Sequence, residues 1–441
     1  MRTKASLIAA TLGLALLDPS KLHGHPVLKR SDPAAGAALQ SSPSAIALHF
    51  SEAPELAMTT VLLRGPRGIE TLTDLAIDAV DRFQLSAKVL RELMPGRYTV
   101  TWRTAASDGH PVQGIFAFTV LGTSPDSPSV PGTTQAAADS AETDLQTPFQ
   151  ILLRALSFIA LIAVIGAVTF RGAVVPRIRD LNAEVRTALL DRCALVGAIS
   201  ALVLLFLAPV RFQFQAILMA DHLMDDRMQT LMMQTRWGTA WILATAGASV
   251  ALAGFIIARL RYNLGWLVAS AGSVALAFSP ALSGHAGASP RLAMFAIAVD
   301  AVHIIGAAGW LGSLLYVVVA GLPTFGIREN GALNVAKLVN AFSPTALGFA
   351  GLVVVSGVLS AWLRLGTLSA LWMSPYGRVL LLKLFVLSGV IATGAYNWRR
   401  MRPTLGVEAA TAKFQWSSRL ELSIGLAVIV ITAILVATPT P

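Results

Sequence analysis

The chain contains little charge and almost no cysteine. Only 13% of its 441 residues are Asp, Glu, Lys or Arg, roughly half the usual share for a soluble domain. The single cysteine, Cys193, excludes a disulfide framework and a CxxC-type thiolate metal site. The sequence has no GxxxxGK[ST] motif for phosphate binding, which argues against ATP-driven work by this chain. Apolar residues, 55% of the total, occur instead in blocks long enough to cross a bilayer.

The formal net charge of +10 is unevenly distributed. In a soluble protein such a charge would suggest a nucleic-acid partner. Here residues 25–122 carry nine basic and nine acidic side chains, residues 123–148 carry four acidic ones, and residues 149–441 carry 22 basic against 10 acidic. The excess therefore belongs to the most apolar region. This distribution predicts a membrane protein whose partner is the lipid bilayer, with no nucleic acid.

Residues 1–24 resemble a secretory signal peptide. Arg2 and Lys4 precede an apolar stretch, residues 5–17, that is too short to span a membrane. Cleavage after Gly24 gives a mature chain that begins at His25. An uncleaved membrane anchor is the alternative interpretation.

Residues 25–121 show the pattern of an all-β domain. Apolar and polar residues alternate over 45–50, 60–63, 98–102 and 115–120, and turn signals separate these runs. Short strands at this spacing predict an Ig-like β-sandwich. The following residues, 122–148, are rich in Ser, Thr, Pro and Asp and predict a flexible linker.

The remaining region, 149–441, predicts an all-α bundle of about eight transmembrane helices. The apolar runs cover about 150–170, 188–210, 237–258, 264–283, 292–321, 341–363, 377–397 and 419–437. With the β-domain outside, fourteen basic residues fall on inside loops and six outside, namely Arg211, Arg227, Arg236, Arg291, Arg364 and Arg378. This asymmetry agrees with the positive-inside rule and places the C-terminus outside as well.

One group of residues in the β-domain has the chemistry of a Cu(II) site. An N-terminal His25 offers its α-amine and imidazole together, and His110 with Asp108 adds a nitrogen and an oxygen. Such a set suits the tetragonal N,O geometry that Cu(II) favours. The alternative is a plain turn in which Asp108 caps local N–H groups and His110 is exposed. His49, inside an alternating run, is better explained as an ordinary strand residue.

Three segments of this domain together resemble the copper resistance protein C (CopC) family. They are residues 25–37, beginning His-Pro-Val-Leu-Lys-Arg, residues 48–53 (Leu-His-Phe-Ser-Glu-Ala) and residues 107–118, beginning Ser-Asp-Gly-His-Pro-Val. The resemblance covers about 25–121. It implies a periplasmic β-sandwich that binds Cu(II) through His25, Asp108 and His110. Some members also carry a Met-rich Cu(I) loop, whereas this domain has only Met58 and Met94.

A methionine-rich stretch follows the second predicted span. Five of the eleven methionines lie in residues 219–233, together with His222. Thioethers favour Cu(I), and on a helix Met224, Met228 and Met232 share one face. An interfacial helix that uses methionine as apolar filler is the other interpretation.

Ionisable residues also fall inside the fifth predicted span. Asp300 lies one turn before His303, which we expect near mid-membrane, and His285 ends the fourth span. Ionisable groups at such depth are costly and usually functional. His303 is a candidate for passing copper or a proton, with Asp300 orienting its ring. The alternative is a His–Asp pair that only fixes helix packing, with His285 as a loop residue.

The membrane region resembles the copper resistance protein D (CopD) family of multi-span inner-membrane proteins. The similar motifs are residues 283–286 (Ser-Gly-His-Ala), 300–303, 309–312 (Gly-Trp-Leu-Gly), 376–383 and 397–400. The fused arrangement implies copper uptake in which the outer domain hands copper to the membrane domain. Lys383 either snorkels outward or pairs with Asp300.

These patterns predict a non-enzymatic copper-binding membrane protein, and the two family resemblances imply a location in the bacterial inner membrane. It captures Cu(II) outside and passes copper into or through the membrane domain, where Cu(I) suits the methionines. A copper chaperone or a reductase outside the membrane is a candidate partner. Copper efflux, copper buffering or sensing without transport, and a histidine-chelated copper oxidase remain as alternatives.

Overall fold

The chain has two structured parts, a β-sandwich and a helical bundle. The structure is a computed structural model that describes residues 28–51, 53–105, 111–121, 148–219, 225–284, 292–326, 330–438 and 440. The predicted signal peptide lies outside the described residues, and so does the predicted linker except Pro148, which begins the first helix. The two fold classes expected from the sequence are both confirmed.

The β-domain consists of two facing sheets. In chain order the strands are β1 Leu28–Asp32, β2 Ala38–Leu39, β3 Ala45–Phe50, β4 Thr60–Gly65, β5 Gly68–Glu70, β6 Leu72–Ile77, β7 Gln84–Val89, β8 Gly96–Ala105 and β9 Pro111–Val120. One sheet has the order β1-β3-β7-β6 and the other β2-β9-β8-β4-β5. The four predicted runs correspond to β3, β4, β8 and β9.

Alternating apolar residues from both sheets build the core of the sandwich. Tyr98 and Phe118 stack with ring centroids 5.6 Å apart, and Phe50 meets Trp102 edge-to-face at 5.0 Å. The Tyr98 hydroxyl donates to the Met94 carbonyl oxygen at 2.8 Å, so its buried polar group is satisfied. This core lies between the two sheets and includes side chains of β8 and β9.

Eight helices are long and apolar enough to span a membrane. They are α1 Pro148–Arg177, α2 Ala183–Ile217, α3 Arg236–Arg259, α4 Leu264–Leu282, α5 Ala293–Phe325, α6 Gly331–Leu365, α7 Pro375–Thr404 and α8 Glu408–Ala437. A shorter helix, Asp225–Gln234, lies between α2 and α3. The chain is therefore a multi-pass membrane protein.

Several helices extend beyond the apolar runs that predicted them. Thus α6 begins at Gly331 and α8 at Glu408. A membrane helix can continue past its apolar run, because polar side chains beyond the hydrocarbon layer reach water. The assignment of Arg211, Arg364 and Arg378 to outside loops was wrong, since they lie within α2, α6 and α7. Arg236, also assigned to a loop, is the first residue of α3. Counting charge along a sequence cannot separate a loop from the end of a long helix.

Glycine lets the helices approach closely. A Cβ atom on Gly166 of α1 would lie 2.6 Å from the Cα atom of Gly312 in α5. Similarly, a Cβ atom on Gly254 of α3 would lie 2.3 Å from the backbone nitrogen of Ala269 in α4. Packing through small residues is the usual way for membrane helices to gain contact in lipid. These contacts fix α1 against α5 and α3 against α4.

Candidate functional site

The predicted Cu(II) ligands His25, Asp108 and His110 lie outside the described residues. The described backbone defines where their segments attach. Ala105 and Pro111 are paired across β8 and β9, so residues 106–110 connect the ends of this hairpin. His25 is three residues before Leu28, which pairs with Phe50, and the Phe50 ring contacts Trp102 near the end of β8. Both attachment points are therefore at the same end of the sandwich.

His49 lies in β3 as the sequence predicted. Its Nε2 atom is 2.9 Å from Asp81 Oδ2, and no metal-ligating cluster of three His, Cys, Asp or Glu occurs among the described residues. Its role there is an ion pair or hydrogen bond on the sheet surface.

The end of the sandwich at which β8 ends and β9 begins is packed against the membrane domain. Ala105 is buried in an apolar cluster with Phe212, Ala216, Leu231 and Trp237, which belong to α2, the short helix and α3. We call this group of five residues the docking cluster. Ala105, the last described residue before position 106, therefore lies at the membrane domain.

Glu55 adds a polar contact to the same interface. Its carboxylate accepts a hydrogen bond from the backbone N–H of Arg236 at the start of α3. Burial raises the pKa of Glu55, and the charge and N–H of Arg236 oppose that effect without cancelling it. The contact therefore couples docking to the protonation of one carboxyl group.

Two methionines, one from each domain, pack against the docking cluster. Met58 comes from the turn Leu56–Met58 of the sandwich, and Met232 comes from the helix Asp225–Gln234. Sequence reasoning selected Met232 and passed over Met58, because only tertiary packing brings them to one surface. His222, Met224 and His285 lie outside the described residues, and Met228 is described only as part of its helix.

A cavity of about 100 Å³ opens behind Trp237 within the bundle. Arg154 of α1 and Arg211 of α2 both line it, and Arg154 Nη1 donates to the Ala433 carbonyl oxygen at 3.3 Å. Two guanidinium groups give this cavity a positive potential, which opposes entry of an unligated copper cation. The sequence pattern did not predict this cavity, because it places Arg211 in a loop.

Asp300 has different partners from those expected. It accepts hydrogen bonds from the Ser360 hydroxyl at 2.9 Å and from the Arg364 guanidinium, and it forms an ion pair with Arg364. The prediction that Asp300 orients the His303 ring was wrong, because Arg364 and Ser360 of α6 engage both of its oxygens. The alternative in which Lys383 pairs with Asp300 is not observed among the described ion pairs. Arg364 is the ion-pair partner of Asp300 instead.

His303 is instead oriented by Ser356 of α6. His303 Nδ1 lies 3.0 Å from Ser356 Oγ, and that hydroxyl donates to the Leu352 carbonyl oxygen at 2.6 Å. Ser356 therefore accepts from Nδ1–H, which leaves Nε2 as the atom with a free lone pair.

Comparisons with known proteins agree with this two-part architecture. Residues 28–121 match the CopC domain, residues 143–293 the copper resistance protein D-like N-terminal domain, and residues 336–435 copper resistance protein D. The Bacillus subtilis copper transport protein CutJ is 26% identical over 439 residues, which cover 96% of this chain and 76% of CutJ.

Two smaller relatives match the β-domain alone. Protein YobA of Escherichia coli K12 is 35% identical over 113 residues, 25% of this chain and 90% of YobA. Copper resistance protein C of Escherichia coli is 33% identical over 103 residues, 22% of this chain and 81% of the relative. The fold and these matches define a β-sandwich fused to a polytopic membrane domain. The chain belongs to the CopC and CopD families, joined in one polypeptide.

Proposed function

We propose that this protein captures Cu(II) outside the inner membrane and passes copper into its membrane domain. The observation that carries the proposal is the docking cluster, in which Ala105 of the sandwich packs beside Trp237 of α3. The relatives named a copper transport protein and a copper resistance protein support copper as the cargo. Transport, with no catalysed reaction, is the proposed activity.

The proposed Cu(II) ligands are the His25 amine and imidazole, Asp108 and His110. His25 is three positions before Leu28, a reach of about 10 Å in extended chain. Leu28 and Ala105 lie at the same end of the sandwich. This placement supports a single site built from both segments, provided that cleavage leaves His25 as the first residue. The sandwich and the C-terminus then lie outside the cytoplasm.

The proposed transfer runs from this site along the two methionines at the docking cluster. Met58 and Met232 pack against one set of residues, and thioethers bind Cu(I) in preference to Cu(II). Reduction is therefore needed before transfer, and we propose a separate reductase outside the membrane as its source. His222, Met224, Met228, His285, Asp300 and His303 are proposed as the membrane path.

The test uses the full chain purified after export. N-terminal sequencing gives the first residue, and electron paramagnetic resonance after one equivalent of Cu(II) gives the ligand type. We expect a start at His25 and a tetragonal, nitrogen-rich signal that His110→Ala weakens and the strand variant His49→Gln leaves unchanged. A different start, or a signal insensitive to His110→Ala, would contradict the site.

Transport itself is tested by radiocopper flux in vesicles of known orientation. Inward flux supports the proposal, outward flux supports efflux, and no flux with intact binding supports buffering or sensing. Adding ascorbate and measuring peroxide in the same preparation tests for a copper oxidase.

A further inference from the structure

A second deep carboxylate, Glu421, lies near the middle of α8 and has no role in the proposed copper path. Its side chain is almost completely buried, with the residue only 4% exposed. Asn397 Nδ2 of α7 donates to Glu421 Oε2 at 2.8 Å. None of the ion pairs among the described residues includes Glu421, whereas Asp300 is paired with Arg364. A charged carboxylate at this depth without a cation is costly.

The neighbouring amide has an unfilled hydrogen-bonding position. Asn397 is 6% exposed, and its Oδ1 atom is buried without a partner among the described residues. Buried polar oxygens are nearly always satisfied, so one without a donor indicates a missing hydrogen. A protonated Glu421 adds one O–H donor to the pair and removes the uncompensated charge, while its other oxygen can still accept from Asn397 Nδ2.

The backbone around this pair is adapted to it. A Cβ atom on Gly394 would lie 3.0 Å from Glu421 Oε1, closer than ordinary van der Waals contact, so glycine leaves the room that the carboxylate occupies. A π-helical turn, Asn397–Met401, begins at the amide residue. Such turns occur frequently at functional sites.

A groove of about 310 Å³ gives access to the pair from the surface of the bundle. Trp310, Phe342 and Phe414 line it, and Arg399 is the one other ionisable side chain among its described lining residues. The α6 wall contributes Ser343, whose hydroxyl donates to the Val339 carbonyl oxygen at 2.7 Å.

The charged residues of α1, which also packs against α8, are engaged elsewhere. Arg154 reaches the Ala433 carbonyl oxygen, about 18 Å along α8 from Glu421. Arg177 bonds to the Ala173 carbonyl oxygen, and Arg171 lies over the Trp266 ring at 5.9 Å. Among the described contacts, none of these three α1 side chains forms an ion pair with Glu421.

The oxygen count distinguishes a proton from a metal ion. Hard cations such as Ca²⁺ take six to eight oxygen ligands, and Glu421 with Asn397 offers three oxygens, one of which already accepts the amide N–H. Soft Cu(I) prefers thioether or thiolate ligands, and no methionine or cysteine is among the residues described as lining the groove. A proton needs a single oxygen.

We propose that Glu421 and Asn397 form a proton-binding site in the membrane domain, filled and emptied through the groove that Arg399 lines. The carboxylate takes up one proton to become a carboxylic acid and returns it as the carboxylate, with no other bond made or broken. The site goes beyond copper capture and gives the membrane domain a group through which it can respond to a proton gradient.

The test is an infrared pH titration of the full chain in lipid vesicles without copper. We expect a protonated carboxylic-acid C=O band that titrates with pH in the wild-type protein and is lost in Glu421→Gln. The matched control Glu408→Gln, at the exposed start of the same helix, retains the band. Identical spectra for wild type and Glu421→Gln would overturn the proposal.

A milder variant guards against misfolding of Glu421→Gln. Gly394→Ala keeps the acid and displaces its Oε1 atom, so we expect a shifted titration midpoint with a retained band. An unchanged midpoint would contradict the assignment of the band to this site. Because no copper is present, failure of the proton site and failure of copper transport are separate results.

Discussion

Ala105 and Trp237 lie in one apolar cluster although they belong to different domains. The turn Leu56–Met58 of the sandwich also contacts the short helix Asp225–Gln234. Buried apolar contact of this kind favours a docked arrangement over free movement on the linker. The end of the sandwich that carries the predicted Cu(II) ligands is thereby held at the membrane domain.

The folded structure around Glu55 should be more stable at low pH. Burial raises the pKa of Glu55 above its ordinary value, so the folded protein binds this proton more tightly than the unfolded chain does. The contribution is complete below the ordinary glutamate pKa and is lost as the pH rises through the raised value. The hydrogen-exchange protection factors of the Met58 and Thr59 amides, which are corrected for the intrinsic pH dependence of exchange, should therefore rise in acid. Glu55→Gln should remove this pH dependence, and the exposed Glu92→Gln should retain it. Equal pH dependence in Glu55→Gln would refute the coupling.

Replacing the interface methionines should impair transfer without loosening the interface. Met58→Leu and Met232→Leu conserve volume and should cost less than about 1.5 kcal/mol each. We expect the double variant to lower copper flux several-fold, because leucine provides no sulfur ligand, while Cu(II) binding to the sandwich persists. Met94→Leu, at an exposed methionine outside the docking cluster, is the control. Wild-type flux in the double variant would remove the thioethers from the path.

Breaking the Asp300–Arg364 pair should destabilise the membrane domain. Asp300→Asn leaves a half-buried guanidinium without its counter-charge, a loss of about 3–5 kcal/mol for a buried pair. Replacing both residues, Asp300→Leu with Arg364→Met, should restore much of that stability. Thermal unfolding in detergent provides the comparison. A double variant less stable than Asp300→Asn would show that the pair does more than compensate charge.

The hydrogen bond between Ser356 and His303 should matter for flux only if His303 is on the path. Ser356→Ala frees the ring to rotate and should reduce flux partially, while His303→Ala should reduce it more. Both variants should retain the Cu(II) resonance signal of the sandwich, since His303 lies in α5. Normal flux in His303→Ala would leave the residue with a packing role alone.

Two glycines of α1 should respond oppositely to substitution. Gly166→Ala places a methyl group against the Gly312 backbone and should cost about 1–3 kcal/mol, as overpacking does. Gly172 has nothing within 4 Å of the corresponding position, so Gly172→Ala should be neutral or stabilising by up to about 1 kcal/mol. Chemical denaturation in mixed micelles measures both. Equal stability of the two variants would mean that α1 and α5 are less closely packed than described.

Local patterns were sufficient for the architecture. The alternation at 45–50 predicted β3, and the apolar runs predicted all eight spans. Both signals are contained in consecutive residues: one is the two-residue period of a strand, and the other is the apolar length that crosses a bilayer. The same rule that selected Asp300 applies to Glu421, an acid within an apolar run, and it could have marked that residue as well. The copper ligands His25, Asp108 and His110 remain a prediction.

The sequence by itself determined a β-sandwich followed by eight membrane helices, since both follow from short-range hydrophobic periodicity. Only the tertiary structure decided the partners. Arg364 forms an ion pair with Asp300, and Ser356 hydrogen-bonds to His303. Met58 packs against the same cluster as Met232. Partner choice depends on which helix faces are brought together and on competition for each buried charge. Those contacts form between residues far apart in the chain, where no local pattern records them.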